Sequence, residues 1–284
     1  MKNSLVLGTA QFGMKYGITN RYEDISEENV HEILEYSLLN NIHHFDTSLL
    51  YGNSLERIEK YLSQNSKQSV HIINKFSIHT NLDETYSKLY SFLEKSKLSS
   101  YEALLIHDPD AKIDDAKKLE SFLEKLINNK LTKKIGCSIY SPSEFKKMNQ
   151  IFPMKVVQCP INPFNVKFLT EQFGKNVEIH GRSLFLQGIL LADQLPTRLS
   201  KLQPHILKFK EILKASNMNP LEGLFRWANQ QKNVSKWVIG VTDKDELHQI
   251  IKTCDSVDSS SKTIDFGLLS KHGDDPLLNP QNWN

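Results

Sequence analysis

His43-His44-Phe45-Asp46-Thr47-Ser48-Leu49-Leu50-Tyr51-Gly52 is a short β-type run that ends in an acid, with a tyrosine five residues further on in the loop. Two more strand-like runs follow at regular distance, and each also ends in an ionisable residue. Val70-His71-Ile72-Ile73-Asn74-Lys75 ends in a lysine and Ala103-Leu104-Leu105-Ile106-His107 in a histidine. If these strands are neighbours in a parallel barrel, Asp46, Tyr51, Lys75 and His107 converge on one mouth. A phenol with a cation, an acid and an imidazole around it is the set that a proton donor and its tuning groups require.

The alternation extends in both directions. Strand-like runs fall at Leu5–Gly8, Ile42–Asp46, Val70–Lys75, Ala103–His107, Lys134–Ser138, Lys155–Cys159, Val177–Ser183 and Trp237–Val241. Between them, apolar residues recur every three or four positions, which is helical spacing. Leu55, Ile58 and Leu62 form one such set. Leu82, Tyr86, Leu89 and Leu93 form a second, and Leu119, Phe122, Leu123, Leu126 and Ile127 a third. Ser141-Pro142-Ser143-Glu144 reads as an N-cap followed by proline at the first helical position. Eight strands alternating with helices predict a closed (β/α)8 TIM barrel, α/β in class, occupying residues 1–284 as one domain with a C-terminal extension. An open doubly wound sheet is the alternative. No linker, repeat or low-complexity tract divides the chain, and Val257-Asp258-Ser259-Ser260-Ser261 reads as a loop before the extension.

Bulk properties exclude several classes. With 24% charged and 39% hydrophobic residues in 284, the composition is that of a globular domain. A formal charge of +2 with no long basic cluster gives no reason to expect nucleic acid or an anionic membrane as partner. The apolar run at Leu5-Val6-Leu7 is too short for a signal peptide and no stretch is long enough to span a bilayer, so a cytoplasmic location is expected. Cys137, Cys159 and Cys254 lack metal-type spacing and read as buried free thiols of a reducing compartment. His43 and His44 are adjacent in a strand and point to opposite faces, and no metal centre is expected.

Motif after motif, in order, the chain resembles the aldo-keto reductase superfamily. Leu7-Gly8-Thr9-Ala10-Gln11-Phe12-Gly13 opens the series, followed by Phe45-Asp46-Thr47 with Tyr51-Gly52, then Lys75, then Leu105-Ile106-His107. Ile135-Gly136-Cys137-Ser138, Val157-Gln158 with Asn162, Gln187-Gly188-Ile189-Leu190 and Val238-Ile239-Gly240-Val241-Thr242 complete it. The resemblance implies a barrel that binds NADPH across its C-terminal face and reduces a small-molecule carbonyl without metal. In that setting Tyr51 donates the proton, Lys75 favours the phenolate, Asp46 keeps Lys75 in place and charged, and His107 orients the substrate oxygen. Singly, each has a plainer role: a loop-capping tyrosine, a strand-end ion pair, a core histidine.

The resemblance also implies a cofactor surface. Gly8 and Thr9 border it from the first strand, together with Asp46, and Ser138 and Gln158 hold the nicotinamide carboxamide. The asparagine that often follows that serine is Ile139 here. Arg182, beside Ser183, stands where many members carry an aromatic that stacks on the nicotinamide, and a guanidinium plane can also stack. Gly240, Thr242, Lys244, Glu246 and Gln249 fall on the adenosine-phosphate segment at a helix N-terminus. Lys244 is its one cation among Asp243, Asp245 and Glu246, so NADP is the default and NAD is permitted. The acids also suit a helix first turn on their own account. The connection from Leu191 to about Asn219 and the tail from Gly267 to Trp283 are expected as pocket walls, with Trp283, Tyr140, Phe164 and Phe185 as apolar lining. The Gly-Thr-Ala-Gln-Phe-Gly-Met opening and the Pro-x-x-Trp tail resemble a bacterial branch linked to sugar metabolism, which makes a sugar-like aldehyde the expected substrate. Two rivals are a Schiff-base enzyme acting through Lys75 and a non-catalytic regulatory subunit that binds a nicotinamide nucleotide on the same barrel; the adjacent Asp46 argues against the first and the Tyr51/Lys75 pair against the second. Oligomeric state is not legible in the sequence.

Overall fold

Eight short parallel strands, each hydrogen-bonded to its successor and the last to the first, close a barrel in strict sequence order. The structure, a computed structural model, describes residues 1–18, 25–65, 69–109, 115–270, 276–279 and 282–283. The strands are β1 (Leu5–Gly8), β2 (His44–Asp46), β3 (His71–Phe76), β4 (Ala103–Ile106), β5 (Ile135–Ser138), β6 (Val156–Pro160), β7 (Glu178–Arg182) and β8 (Lys236–Gly240). Closure is carried by the parallel register of β1 on β8, from Leu5 opposite Trp237 to Gly8 opposite Gly240. The helices are α1 (Glu27–Leu39), α2 (Ser54–Gln64), α3 (Leu82–Ser96), α4 (Ala116–Asn128), α5 (Pro142–Ile151), α6 (Gln203–Ala215), α7 (Pro220–Gln230), α8 (Lys244–Asp258) and α9 (Gly267–Ser270). The expected strands are found within one or two residues of their ends, and the fold is the (β/α)8 barrel rather than the open sheet.

Side chains alternate across each strand, so the barrel has two apolar layers. Val6, Ile73, Ala103, Leu105 and Val156 pack with Val238 as a small cluster inside the barrel. Leu7, Phe45, Ile72, Leu104, Ile106 and Val157 face outward and join the large cluster under the helices. Fully burying each such aliphatic side chain contributes about 1.5–3 kcal/mol. The interior is tight at Gly136, where an added Cβ would stand 2.2 Å from the Val156 carbonyl oxygen.

Local signals fix the helix starts. Ser26, Asn81, Asp115, Asn219 and Asp243 each accept a backbone N–H from the turn they cap. Ser141 and Glu144 form a reciprocal capping box at α5, with Pro142 at the first helical position.

The connection from Leu191 to about Asn219, expected as a pocket wall, is largely helical. It passes through a 3-10 segment at Thr197–Leu202 into α6, whose Ile206, Phe209 and Leu213 are buried. Pro204 stands in its first turn, where a proline starts a helix rather than breaking one. The expected lining residues are mostly packing. Phe164 is fully buried and meets Phe209, and Phe185 packs edge-on against Phe225. Trp283 is buried and donates its indole N–H to the Leu277 carbonyl at 2.6 Å. Residues 271–275 and 280–281 of the tail lie outside the described residues. Among those described, no helix is long and apolar enough to cross a membrane.

Candidate active site

The same two-residue alternation that builds the inner apolar cluster places the polar residues one step higher. Two positions beyond Ile73 comes Lys75, beyond Leu105 comes His107, beyond Val156 comes Gln158 and beyond Val238 comes Gly240. These are C-terminal ends of barrel strands, the end at which TIM barrels carry their sites. Tyr51 arrives from the β2–α2 loop, which is anchored by glycines. Gly52 has φ +50°, and a Cβ on Gly13 would lie 2.0 Å from the Tyr51 carbonyl oxygen. Any side chain at Gly13 would push the tyrosine's own backbone away.

Asp46 and Lys75 form a buried ion pair. Lys75 Nζ lies 2.5 Å from Asp46 Oδ1, with side-chain exposures of 1% and 3%. Lys75 also donates to the Thr47 carbonyl at 3.0 Å, and Gln158 Nε2 donates to Asp46 Oδ2 at 2.7 Å. Both carboxylate oxygens are therefore occupied, as a buried charge requires. The ammonium sits 5.0 Å from the centre of the Tyr51 ring, and the His107 ring meets the same tyrosine edge-on with centroids 5.7 Å apart. His107 Nδ1 is 3.0 Å from Ser48 Oγ, which in turn accepts the Leu50 N–H at 3.1 Å.

Burial dominates the electrostatics. It pushes the Tyr51 phenol above its ordinary value, with the Asp46 carboxylate adding to it and the Arg182 guanidinium opposing. Burial also pulls the Lys75 ammonium down, and Asp46 resists this through its charge and its hydrogen bond. His107 is lowered to about 4, by burial first and the Lys75 charge second, so its ring is neutral at neutral pH. A neutral imidazole can present one N–H to a substrate oxygen without being a competing acid.

Around the rest of the mouth, Ser138 and Gln158 stand side by side in the β5–β6 register, both buried. Arg182 ends β7, lies 4.2 Å over the Tyr140 ring and donates to the Ile139 carbonyl at 3.3 Å. Ser183 follows with φ +61°, and its carbonyl accepts from Asn162 at 3.3 Å. Thr9 is fully buried: its hydroxyl donates to the Asp46 carbonyl at 3.0 Å and accepts from Ser54 at 2.9 Å, tying β1 to β2 and α2. Gly8 and Gly240 are register partners, and a Cβ at Gly240 would stand 2.5 Å from the Gln11 amide.

The segment expected to face the adenosine phosphate is more committed than its charges suggest. Glu246 accepts the Thr242 N–H at 2.7 Å, and Asp243 accepts the Glu246 N–H at 2.8 Å, so the first turn of α8 is capped by its own acids. Lys244 is half-exposed and pairs with Glu32 of α1 at 3.4 Å. Gln249 lies in the same helix, one turn further on.

A model of the Aldo/keto reductase family matches residues 4–265. The chain belongs to the aldo/keto reductase family. No curated protein matches it. Among solved structures, the family member from Gluconobacter oxydans described as a glycerol dehydrogenase is 16% identical, with 90% of each chain covered and a TM-score of 0.68. A provisionally assigned 2,5-diketo-D-gluconic acid reductase B is 16% identical over 98% of this chain and 91% of its own, at TM-score 0.72. A provisionally assigned aldo-keto reductase from Pseudomonas aeruginosa is 16% identical over 89% and 90%, at TM-score 0.63. At such identity these likenesses speak for the barrel. The family speaks for an oxidoreductase that acts on carbonyls, a class that uses nicotinamide cofactors.

Three residues near the site escaped the sequence reading. Tyr16 is pushed up by burial, and the charge of Arg182 and the phenols of Tyr51 and Tyr140 bear on it, which places it in the same mouth. It lies outside any strand, so no strand-end rule could find it. Ser48 is two residues beyond Asp46 in the opening stretch, but its link to His107 depends on β2 and β4 both flanking β3. Gln11 became visible through the tight fit at Gly240. A surface hollow of about 390 Å³ on the outside of the barrel, lined by Glu27, His31, Arg57 and Lys60, is not part of this constellation. Its two cations are engaged by Glu27, with Arg57 at 3.0 Å and Lys60 at 3.0 Å.

Proposed function

We propose that this chain reduces an aldehyde or ketone to an alcohol using NADPH or NADH, with Tyr51 as proton donor. The observation that carries the reading is the buried Asp46–Lys75 pair beneath the Tyr51 ring, with neutral His107 against its edge. The cofactor supplies the hydride when bound. Ser138 and Gln158 offer a hydroxyl and an amide at adjacent strand ends, and at the β1–β8 seam Gly8 and Gly240 leave the backbone bare, with the Gln11 amide packed where a Cβ at Gly240 would stand. These features fit a nicotinamide and its linked phosphates.

The protein's own work is electrostatic. Burial makes Tyr51 reluctant to lose its proton, so the phenol is fully protonated before reaction. As negative charge grows on the substrate oxygen, Tyr51 hands over the proton. The resulting phenolate is stabilised by Lys75, whose charge Asp46 maintains. His107 donates a hydrogen bond to the same oxygen and sets its direction. The paired Lys75 also argues against the Schiff-base rival, because an amine held by a carboxylate at 2.5 Å is an ammonium rather than a nucleophile. A polyhydroxylated or sugar-acid carbonyl is the substrate class we favour, in keeping with what the glycerol dehydrogenase and the diketogluconate reductase are named for.

Tyr51→Phe removes the proton source and keeps the ring. Turnover of a carbonyl panel should fall at least ~10²-fold while cofactor affinity, followed by protein fluorescence, stays near wild type. A Tyr51→Phe protein that keeps most of its activity would place the chemistry elsewhere.

A further inference from the structure

Among the described residues, Arg182 is a cation without a partner of opposite charge. Its guanidinium carries five N–H donors. Two contacts are made: to the Ile139 carbonyl at 3.3 Å and, at the limit of a hydrogen bond, to Ser183 Oγ at 3.5 Å. One face of the plane is covered by the Tyr140 ring at 4.2 Å. Among the described residues no carboxylate lies within ion-pair distance of it, and Asp46 has both oxygens engaged by Lys75 and Gln158. Lys75 is thus matched by Asp46, while Arg182 has no carboxylate of its own among the described residues.

That charge faces the chemistry. Arg182 acts electrostatically on Tyr51, Tyr16, Lys75 and His107, which come from four different segments of the rim. The side chain is held, not splayed: Tyr140 stacks on it and the β5 loop carbonyl fixes one nitrogen, so its remaining donors are directed with little entropy left to lose. Tyr16 and Tyr140 add two phenolic groups beside it. A planar donor fork braced on an aromatic ring matches an anionic oxygen group, carboxylate or phosphate. A role limited to stacking on the nicotinamide fits less well, because that ring is itself positive once oxidised and would repel a guanidinium.

We propose that the carbonyl substrate carries a carboxylate or phosphate, gripped by Arg182 while its carbonyl oxygen lies between Tyr51 and His107. The proposal rests on the reductase reading and sharpens it from a carbonyl compound to an anionic one.

Matched pairs of substrates test it: 4-carboxybenzaldehyde against its methyl ester, and glyceraldehyde 3-phosphate against glyceraldehyde. For one pair or both, wild-type kcat/KM should favour the anionic member by about tenfold or more, the range of one charge-assisted bond. Which pair shows the preference tells carboxylate from phosphate. In Arg182→Met the ratio should fall to near one, mainly through KM, and Arg182→Lys should keep part of it because the charge remains. A wild-type ratio near one for both pairs, or a ratio unchanged in Arg182→Met, overturns the proposal. If no carbonyl is turned over, the reductase reading fails separately. The anion site is then read by titrating benzoate, inorganic phosphate and benzamide into the protein with NADP⁺ present. Binding of either anion but not benzamide, lost in Arg182→Met, upholds it, and no anion binding overturns it.

Discussion

Removing the Lys75 ammonium alone should damage the protein more than removing the whole ion pair. In Lys75→Met, the Asp46 carboxylate keeps the Gln158 bond at 2.7 Å but loses the ammonium at 2.5 Å, and the Thr47 carbonyl loses its donor. With Asp46 at 2% exposure, no water takes over. An uncompensated buried charge costs about 3–5 kcal/mol. Asp46→Asn combined with Lys75→Met leaves a neutral amide able to accept from Gln158, and the loss should be about 1–2 kcal/mol, one or two ordinary hydrogen bonds. The variants should remain folded, since a domain of this size has about 5–15 kcal/mol in hand. Urea unfolding followed by the fluorescence of Trp227, Trp237 and Trp283, all buried, would read the series. The single variant has a pH signature as well. Its Asp46 should have a raised folded pKa, so the deficit should shrink as pH falls from 8 towards 5. If the double variant loses the sum of the two singles, or Lys75→Met is no worse at pH 8 than at pH 5, the pair is not coupled and the account is wrong.

Three further outcomes follow from the same geometry. Ser48→Ala removes the hydroxyl 3.0 Å from His107 Nδ1 and should lower kcat/KM about tenfold while leaving thermal stability within about 1 kcal/mol; an unchanged kcat/KM would free His107 of this support. His107, lowered to about 4 in the folded protein against 6.5 unfolded, binds its proton more readily in the unfolded chain. Stability should therefore fall as pH drops from about 6.5 to about 4, by up to roughly 3 kcal/mol from this group, and His107→Gln should show a shallower loss in urea midpoints over that range. Glu32→Gln releases Lys244 from its 3.4 Å pair and should tighten NADPH binding up to about fivefold relative to NADH, the scale of an exposed ion pair. Equal effects on both cofactors would show that Lys244 does not face the 2′-phosphate.

What the sequence made legible was whatever depends on period and position along the chain. Asp46, Lys75 and His107 close successive strands, and strand ends in a closed barrel have one place to go, so their convergence could be read before any coordinate. Helical sets were named only after the second, third and fourth strands; α6 lies inside the connection from Leu191 to about Asn219, which was read as a pocket wall, although Pro204 in its first turn is a start signal. The acids of α8 were read as helix first-turn charges as well as ligand groups, and Glu246 takes the first role, but the engagement of Lys244 was illegible. Its partner Glu32 lies on α1, a whole barrel away in sequence, so no local pattern could pair them.

That contrast sharpens the case of Arg182. In sequence, Arg182 and Lys244 were equally good cations for a ligand, one at each end of the same expected cofactor surface. The fold separates them by what else is near. Lys244 stands half-exposed opposite a glutamate, where an ion pair contributes less than about 1 kcal/mol and solvent screens the rest. Arg182 stands at the head of a barrel strand, braced by Tyr140, with the tetrad's one carboxylate already spoken for. A cation that is positioned but not neutralised keeps its interaction free energy for a ligand, whereas one that is neutralised spends it on the fold. The specificity of this barrel is therefore to be sought at β7, and the cofactor end should prove the more permissive of the two.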